Sequence, residues 1–250
     1  MDACGHAAYQ RKNGAKAIVI CVHGIQGSPR QFDWLVKCLP EDVDYECVLL
    51  PGHGSSVQDF RRSGAAEWEA HVRELCADAA KRYERIIYAG HSMGCLLGIC
   101  AANEGLCFDG MLLLACPLAL KPTLRYFINN LRAVGAKNPS DPYVQAVQQA
   151  NGVHAVSPLQ YLSCIRPYLE LLKLIYRTKH IAAKLEAPAV LLHSERDEIV
   201  SGRSMDAFRN MPHVKTAVLP ACGHFLYTAE AKESIWQELL KMLESMGLQA

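Results

Sequence analysis

The sequence predicts an α/β fold, with a mainly parallel sheet and helices on both of its faces. Short, continuous apolar runs alternate with stretches whose apolar residues follow helical spacing. Apolar runs of this kind are typical of strands that are buried on both faces of a parallel sheet. Strands that alternate with helices predict right-handed crossovers, which place the helices over both faces. At 250 residues, half of them apolar, the chain is long enough for one large domain.

Six strands and five helices follow from these patterns. The predicted strands are residues 17–22, 45–50, 85–89, 110–116, 189–193 and 215–219. The predicted helices cover about 29–39, 67–83, 92–103, 159–177 and 229–246. Ser28 and Pro29 favour a helix start there, as N-cap and first helical residue.

The alternation of strands and helices stops between residues 117 and 186, where prolines and helical stretches replace the buried strands. We predict a helical insertion at 117–186 that crosses the carboxyl ends of the strands as a cap, with residues 1–116 and 187–250 forming the core. Its large apolar side chains should pack on the sheet or line a substrate pocket. The expected pocket residues are Tyr126, Phe127, Tyr161 and Leu169.

Composition excludes several classes of function. The formal net charge is +1 and the basic residues are scattered, so we expect no nucleic-acid partner and no attraction to an anionic membrane. The sequence has neither a signal-peptide pattern at its start nor an apolar run long enough for stable membrane insertion, which predicts a soluble, cytoplasmic protein. The eleven cysteines include no C-x-x-C pair and most lie in apolar runs, as buried reduced thiols do.

Neither a cofactor nor a metal is expected. No G-x-G-x-x-G or G-x-x-x-x-G-K-[ST] motif follows a strand, which argues against dinucleotide or nucleotide binding. The zinc patterns H-E-x-x-H and H-x-x-x-H are also missing.

Residues 90–94, G-H-S-M-G, indicate a catalytic serine. They lie between a predicted strand and a predicted helix, the sharp turn on which a nucleophilic serine exposes its hydroxyl group. Strand and helix nearly touch at such a turn, so the flanking positions must be glycine. The small residues Gly94, Gly98, Ala101 and Ala102 give the helix one bare face that can approach the sheet closely. The sequence therefore predicts that Ser92 is a nucleophile.

A serine nucleophile needs a base and an acid that orients the base. In this arrangement the order along the chain is serine, acid, histidine, each in a loop after a later strand. The loop after strand 189–193 contains three acids, Glu195, Asp197 and Glu198, and the loop after strand 215–219 contains His224. These loops should meet at the carboxyl ends of the strands.

Several motifs, taken together, resemble those of the α/β-hydrolase superfamily, in particular the bacterial carboxylesterases and monoacylglycerol lipases with a small helical cap. The resemblance spans residues 16–246 and includes H-G-I-Q-G at 23–27, P-G-H-G at 51–54 and G-H at 223–224. The family acid lies in G-x-x-D-x-x-[VI], which selects Asp197 here although Ser194 replaces the glycine. The resemblance implies hydrolysis of carboxylic esters through an acyl-enzyme by Ser92, His224 and Asp197, without a cofactor.

The oxyanion of such a reaction should be stabilised by backbone N–H groups. We expect them from Met93, directly after the nucleophile, and from Ile25 in the first glycine-rich loop. His23, His53 and His91 lie in the same motifs, and we expect them to brace the turns, because one histidine suffices as the base.

The substrate class remains open at this point. A small-molecule ester with a short to medium acyl chain, or a monoacylglycerol, is the first expectation. The same triad also serves thioesterases, feruloyl or aryl esterases and proline-type aminopeptidases. A non-catalytic receptor that kept the fold is a further alternative from a different class.

Overall fold

The structure is a computed structural model that describes residues 6–135, 139–153, 160 and 163–248. Within these residues, seven strands form one sheet in the order β1-β3-β2-β4-β5-β6-β7. The β1–β3 pair is antiparallel, and each of the other neighbouring pairs is parallel. The predicted fold class is confirmed.

The strand bounds agree with the predictions to within a few residues. The strands are β1 (Tyr9–Arg11), β2 (Ala17–Val22), β3 (Val43–Val48), β4 (Arg85–His91), β5 (Gly110–Leu114), β6 (Ala189–Ser194) and β7 (Val214–Leu219). β1 was not predicted, because its three residues are partly exposed and form no apolar run. It pairs with β3 at the edge of the sheet.

Helices pack on both faces of the sheet. The α-helices are α1 (Asp33–Val36), α2 (Val57–Phe60), α3 (Ala65–Ala80), α4 (Met93–Asn103), α5 (Leu124–Gly135), α6 (Pro142–Ala150), α7 (Ile165–Ile181) and α8 (Ala229–Ser245). Short 3₁₀ helices cover Pro29–Phe32, Ala182–Lys184 and Gly202–Phe208.

The helix predicted at 29–39 is shorter and divided. A 3₁₀ turn at Pro29–Phe32 precedes the single turn of α1, and Ser28 has the extended backbone of an N-cap. Its side chain makes no capping hydrogen bond, and its buried Oγ has no hydrogen-bond partner among the described residues. A helix start that lacks its capping hydrogen bond is less stable, which is consistent with the early end of this helix.

The core consists of two apolar clusters, one on each face of the sheet. Alternate residues of β2 contribute to both of them: Ile18, Ile20 and Val22 to one cluster, and Val19 and Cys21 to the other. All of these side chains are buried, as expected for a central parallel strand. The described cysteines are free thiols and most are buried, although the prediction of burial is wrong for two of them, Cys38 and Cys107.

Helix α4 lies very close to the sheet because its inner face consists of small residues. A Cβ atom added to Gly94 would lie 2.0 Å from the Val22 carbonyl oxygen, and one added to Gly98 would lie 2.3 Å from the Tyr88 ring. The Tyr88 hydroxyl group also donates to the Gly94 carbonyl, at 2.7 Å. The predicted bare face is thus confirmed, and it fixes the turn that carries Ser92.

The insertion between β5 and β6 contains α5, α6 and α7. Helix α7 is held against the core by an ion pair between Arg177 and Glu69, and by a contact of 3.3 Å between Thr178 Oγ1 and Cys100 Sγ. Helix α5 packs on α6. Within the described part of the chain, none of the helices combines the length and apolar character that a membrane crossing requires.

Candidate active site

Ser92 occupies a strained turn directly after β4. Its φ of 52° and ψ of −119° place a non-glycine residue in a sparsely populated backbone region. The neighbouring chain leaves no room for side chains: a Cβ atom on Gly24 would lie 2.9 Å from Ser92 Cβ, and one on Gly90 would lie 2.8 Å from the Cys95 nitrogen. The Ser92 N–H donates to the Leu114 carbonyl at 2.8 Å, which anchors the turn to β5.

His224 and Asp197 form a buried pair in the loops after β7 and β6. His224 Nδ1–H donates to Asp197 Oδ2 at 2.8 Å, and their side chains are 2% and 0% exposed. This bond leaves Nε2 as the ring nitrogen that can accept a proton. The other Asp197 oxygen, Oδ1, accepts the N–H groups of Ile199 at 2.9 Å and Val200 at 2.7 Å.

These contacts determine the charge of Asp197. Burial by itself would raise the pKa of the carboxyl group, but the His224 imidazole and the two backbone N–H groups outweigh it and lower the pKa. The carboxylate therefore stays ionised and can orient the imidazole.

The two glutamates of the same loop have other partners. Glu195 is exposed and accepts the Ala221 N–H at 2.9 Å. Glu198 is 3% exposed and accepts the backbone N–H of His224 at 2.9 Å, as well as the Tyr143 hydroxyl group. The His224 ring thus contacts Asp197 and not its neighbours. Sequence reasoning treated Glu198 only as a rival acid and missed its contact with the His224 main chain.

The two expected oxyanion donors belong to two segments next to Ser92: Met93 follows it in the chain, and Ile25 lines the same cavity. Met93 is the first residue of α4, where the backbone N–H groups have no partner within the helix and carry the positive end of the helix dipole. Ile25 lines the cavity in front of Ser92. Ile25 lies in a loop closed by a hydrogen bond of 3.0 Å from the Gly27 N–H to the Gly24 carbonyl.

The loop that carries Ile25 is also bonded to the helical insertion. The Gln26 carbonyl accepts the N–H of Gly152, which follows α6, at 2.7 Å. The Gly152 carbonyl accepts the Gly54 N–H, also at 2.7 Å. Gly152 therefore connects two core loops, and a Cβ atom there would lie 2.3 Å from the Gly27 carbonyl oxygen.

His23 and His53 brace this region as neutral rings, as predicted. His23 Nδ1–H donates to the Gly24 carbonyl at 2.8 Å, and its Nε2 accepts the Leu50 N–H at 3.1 Å. His53 Nε2 accepts the Gln26 N–H at 3.1 Å. Burial lowers the pKa of His23 well below its ordinary value and that of His53 to about 4.

His91 contacts both the main chain and the ring of His224. Its Nε2–H donates to the His224 carbonyl at 2.9 Å, and the two ring centroids lie 5.0 Å apart. Burial, and then the nearby His224, lowers the pKa of His91 to about 3, so the ring is neutral near pH 7. The contact joins the end of β4 to the loop that carries His224.

Ser92 and His224 line the same cavity of about 560 Å³, which lies between the ends of the strands and the insertion. Most of its lining residues are apolar, and about half of the lining residues come from α5, α6 and α7. Among the described residues, no carboxylate lines it.

The four expected pocket residues differ in whether they line this cavity. Tyr126 and Phe127 line the cavity, and Phe127 is 54% exposed. The expectation for Leu169 is wrong, since it is 51% exposed and does not line the cavity within the described chain. Its neighbours on α7 do so instead: Tyr168, Leu171 and Leu172. Tyr161 lies outside the described residues.

A serine on this turn, which shares a cavity with the histidine of a histidine–carboxylate pair at the carboxyl ends of a mainly parallel sheet, defines the class of α/β hydrolases. Residues 19–234 match the alpha/beta hydrolase family. The chain therefore belongs to this family. A search of curated proteins finds no match. In the described residues, no group of three or more His, Cys, Asp or Glu side chains is arranged to hold a metal ion.

Several solved structures share the fold over nearly the whole chain. One is reported with LipS and LipT, two metagenome-derived lipolytic enzymes; it has a TM-score of 0.69 and 18% identity, covering 96% of this chain and 98% of that one. The monoacylglycerol lipase of Paleococcus ferrophilus has a TM-score of 0.68 and 19% identity, with 96% and 99% covered. A soluble variant of the Saccharomyces cerevisiae monoglyceride lipase has a TM-score of 0.68 and 16% identity, with 95% and 89% covered.

Proposed function

We propose that this protein is a serine hydrolase that cleaves carboxylic esters through an acyl-enzyme. The observation that carries the proposal is the buried His224–Asp197 pair, whose histidine lines one apolar cavity together with Ser92. A serine hydroxyl group becomes nucleophilic when a neutral imidazole can take its proton, and Asp197 holds the imidazole in the tautomer that does so.

The steps of the reaction follow from this assignment. His224 Nε2 removes the proton from Ser92 Oγ as the oxygen attacks the ester carbonyl, and the N–H groups of Met93 and Ile25 stabilise the oxyanion. The imidazolium then protonates the departing alcohol, which leaves the acyl group on Ser92. Water, activated by the same imidazole, releases the acid and regenerates the serine.

The proposed substrates are esters with a short to medium acyl chain, or monoacylglycerols, and the insertion acts as the cap over the site. A cavity of about 560 Å³ is in the usual range for one small ligand. Its apolar lining supports the binding of an acyl chain, at about 0.8 kcal/mol per buried CH₂. An aminopeptidase would need a negative partner for the substrate ammonium group, and no carboxylate lines the cavity within the described residues. Esters are therefore favoured over peptides.

Covalent labelling tests the proposal. A fluorophosphonate should modify Ser92 alone, and mass spectrometry of the digested protein should locate the adduct. Ser92→Ala should abolish labelling, whereas Ser28→Ala, which removes another buried serine near the site, should leave it intact. An adduct on a different serine, or no adduct on the folded protein, contradicts the assignment.

A further inference from the structure

Glu198 is a buried carboxylate that the triad does not use. It follows Asp197 directly, yet its side chain points to the main chain of the loop that carries His224. Its Oε2 accepts the His224 backbone N–H at 2.9 Å. This hydrogen bond joins the loop after β6 to the loop that carries His224.

The same oxygen also binds the helical insertion. The hydroxyl group of Tyr143, on α6, donates to Glu198 Oε2 at 2.9 Å. Tyr143 is 3% exposed, and burial together with the charge of Glu198 raises its pKa, which keeps the phenol protonated as a donor. Arg125, on α5, places its Nε 3.9 Å from Glu198 Oε1 and its guanidinium 5.6 Å from the centre of the Tyr143 ring.

The backbone around Glu198 continues this connection. Its carbonyl accepts the Thr123 N–H at 2.9 Å, and the next carbonyl, of Ile199, accepts the Lys121 N–H at 2.7 Å. The first residues of the insertion therefore run along the loop that holds the catalytic acid. Two helices thus meet the Glu198 carboxylate, and the entry segment of the insertion bonds to the backbone beside it.

Gly223 shows how tightly this contact is packed. A Cβ atom added there would lie 2.9 Å from Glu198 Oε1 and 2.9 Å from the Tyr143 ring. The glycine before the catalytic histidine is therefore required by the contact of Glu198 and Tyr143 with the loop. A side chain at this position would push the His224 main chain away from the carboxylate.

We infer that Glu198 is a positioning residue that holds the His224 main chain and links it, through Tyr143, to the seating of the helical insertion. This inference rests on the proposed function, since it assigns to His224 the role of general base. A displacement of about 1 Å at a catalytic group can cost on the order of 10²-fold in rate. Because Tyr143 and His224 bond to the same Glu198 oxygen, the position of the His224 imidazole depends on whether α6 lies over the cavity.

Glu198→Ala removes both hydrogen bonds, whereas Glu198→Gln keeps an oxygen that can occupy the Oε2 position. Tyr143→Phe removes only the link to the insertion. Glu195→Ala is the matched control, because Glu195 accepts one backbone N–H of the same loop, at the same distance of 2.9 Å, but in the described chain its side chain bonds neither to His224 nor to α6.

The experiment measures the rate of fluorophosphonate labelling, and kcat and KM for a short p-nitrophenyl ester, on the full chain. Each kcat is divided by the concentration of active sites, which is measured by titration with the fluorophosphonate. Glu198→Ala should lower the labelling rate and kcat per site by roughly 10²-fold with KM nearly unchanged, and Glu198→Gln should restore most of both. A residue that only stabilised the fold would reduce the number of sites and leave kcat per site intact.

A double-mutant cycle tests the link to the insertion. Tyr143→Phe and Glu198→Ala should be non-additive by about threefold or more in labelling rate, whereas Tyr143→Phe and Glu195→Ala should be additive. If Glu198→Ala does not fold, Tyr143→Phe alone decides the question: a labelling rate equal to that of the unmodified protein overturns the inference. Rates for Glu198→Ala and Glu195→Ala within threefold of each other also overturn it. If the unmodified protein is not labelled at Ser92, the proposed function itself fails.

Discussion

Acid should destabilise this protein well before its carboxylates are protonated, because several histidines are buried as neutral rings. The pKa of His53 is lowered from 6.5 to about 4 and that of His91 to about 3, in both cases chiefly by burial. Between pH 6.5 and 4 the unfolded chain binds protons at these positions while the folded protein does not. Stability is therefore fully present above pH 6.5 and falls as the pH drops.

The size of the effect follows from the linkage relation. Each histidine whose folded pKa lies below 5 costs about 1.4 kcal/mol per pH unit below 6.5, or about 2 kcal/mol at pH 5. His53 and His91 together should therefore remove about 4 kcal/mol at pH 5, and His23 adds to the loss in the same direction. This is a large fraction of the 5–15 kcal/mol that a typical domain has.

Urea unfolding at pH 7, 6 and 5 measures this loss directly. His53→Gln should be less stable at pH 7, since the bond from the Gln26 N–H is disturbed, but its stability should depend less steeply on pH by about one proton. His180→Gln, on an exposed part of α7, is the control and should keep the slope of the unmodified protein. Equal stability at pH 7 and pH 5, or a steeper slope in His53→Gln, would refute the reasoning.

Four further predictions concern catalysis and packing. Ser92→Ala should lower kcat by about 10⁶-fold in a spectrophotometric ester assay, with an unchanged circular dichroism spectrum. Asp197→Asn should lose about 10⁴-fold through the wrong imidazole tautomer, while Glu195→Gln stays close to the unmodified rate; equal losses would mean that the acid is misassigned. Across p-nitrophenyl esters, kcat/KM should rise from acetyl to a maximum between butyryl and decanoyl and then fall, whereas faster hydrolysis of long-chain triglyceride emulsions would contradict the pocket. Gly98→Ala should cost at least about 1–3 kcal/mol in thermal unfolding, because its Cβ would overlap the Tyr88 ring; an unchanged melting temperature would show that α4 can shift.

The sequence was most informative where function depends on a few neighbouring residues. Residues 90–94 contain the serine and its two glycines, and they directly follow the predicted strand residues in the chain. The turn could therefore be predicted from local constraints alone. The loop with Asp197 was also predictable, because parallel strands bring their carboxyl ends together.

Other features depend on contacts that no local pattern encodes. The face that α7 turns to the cavity depends on packing against the core, which is why Leu169 was expected there and Tyr168 was found. The role of Glu198 depends on Tyr143, which lies 55 positions earlier in the chain. The short strand β1 is stabilised by its pairing with β3 rather than by its own composition.

The position of Gly152 has a consequence for protein engineering. The residue bonds simultaneously to the loop that carries Ile25 and to the loop of Gly54, so the insertion contributes backbone to the surroundings of the proposed oxyanion donors. A chimera that exchanges the insertion for that of another hydrolase must therefore transplant a glycine in the same place, with its N–H and carbonyl directed to the same two loops. Libraries that vary the insertion should therefore leave residues 151–153 unchanged.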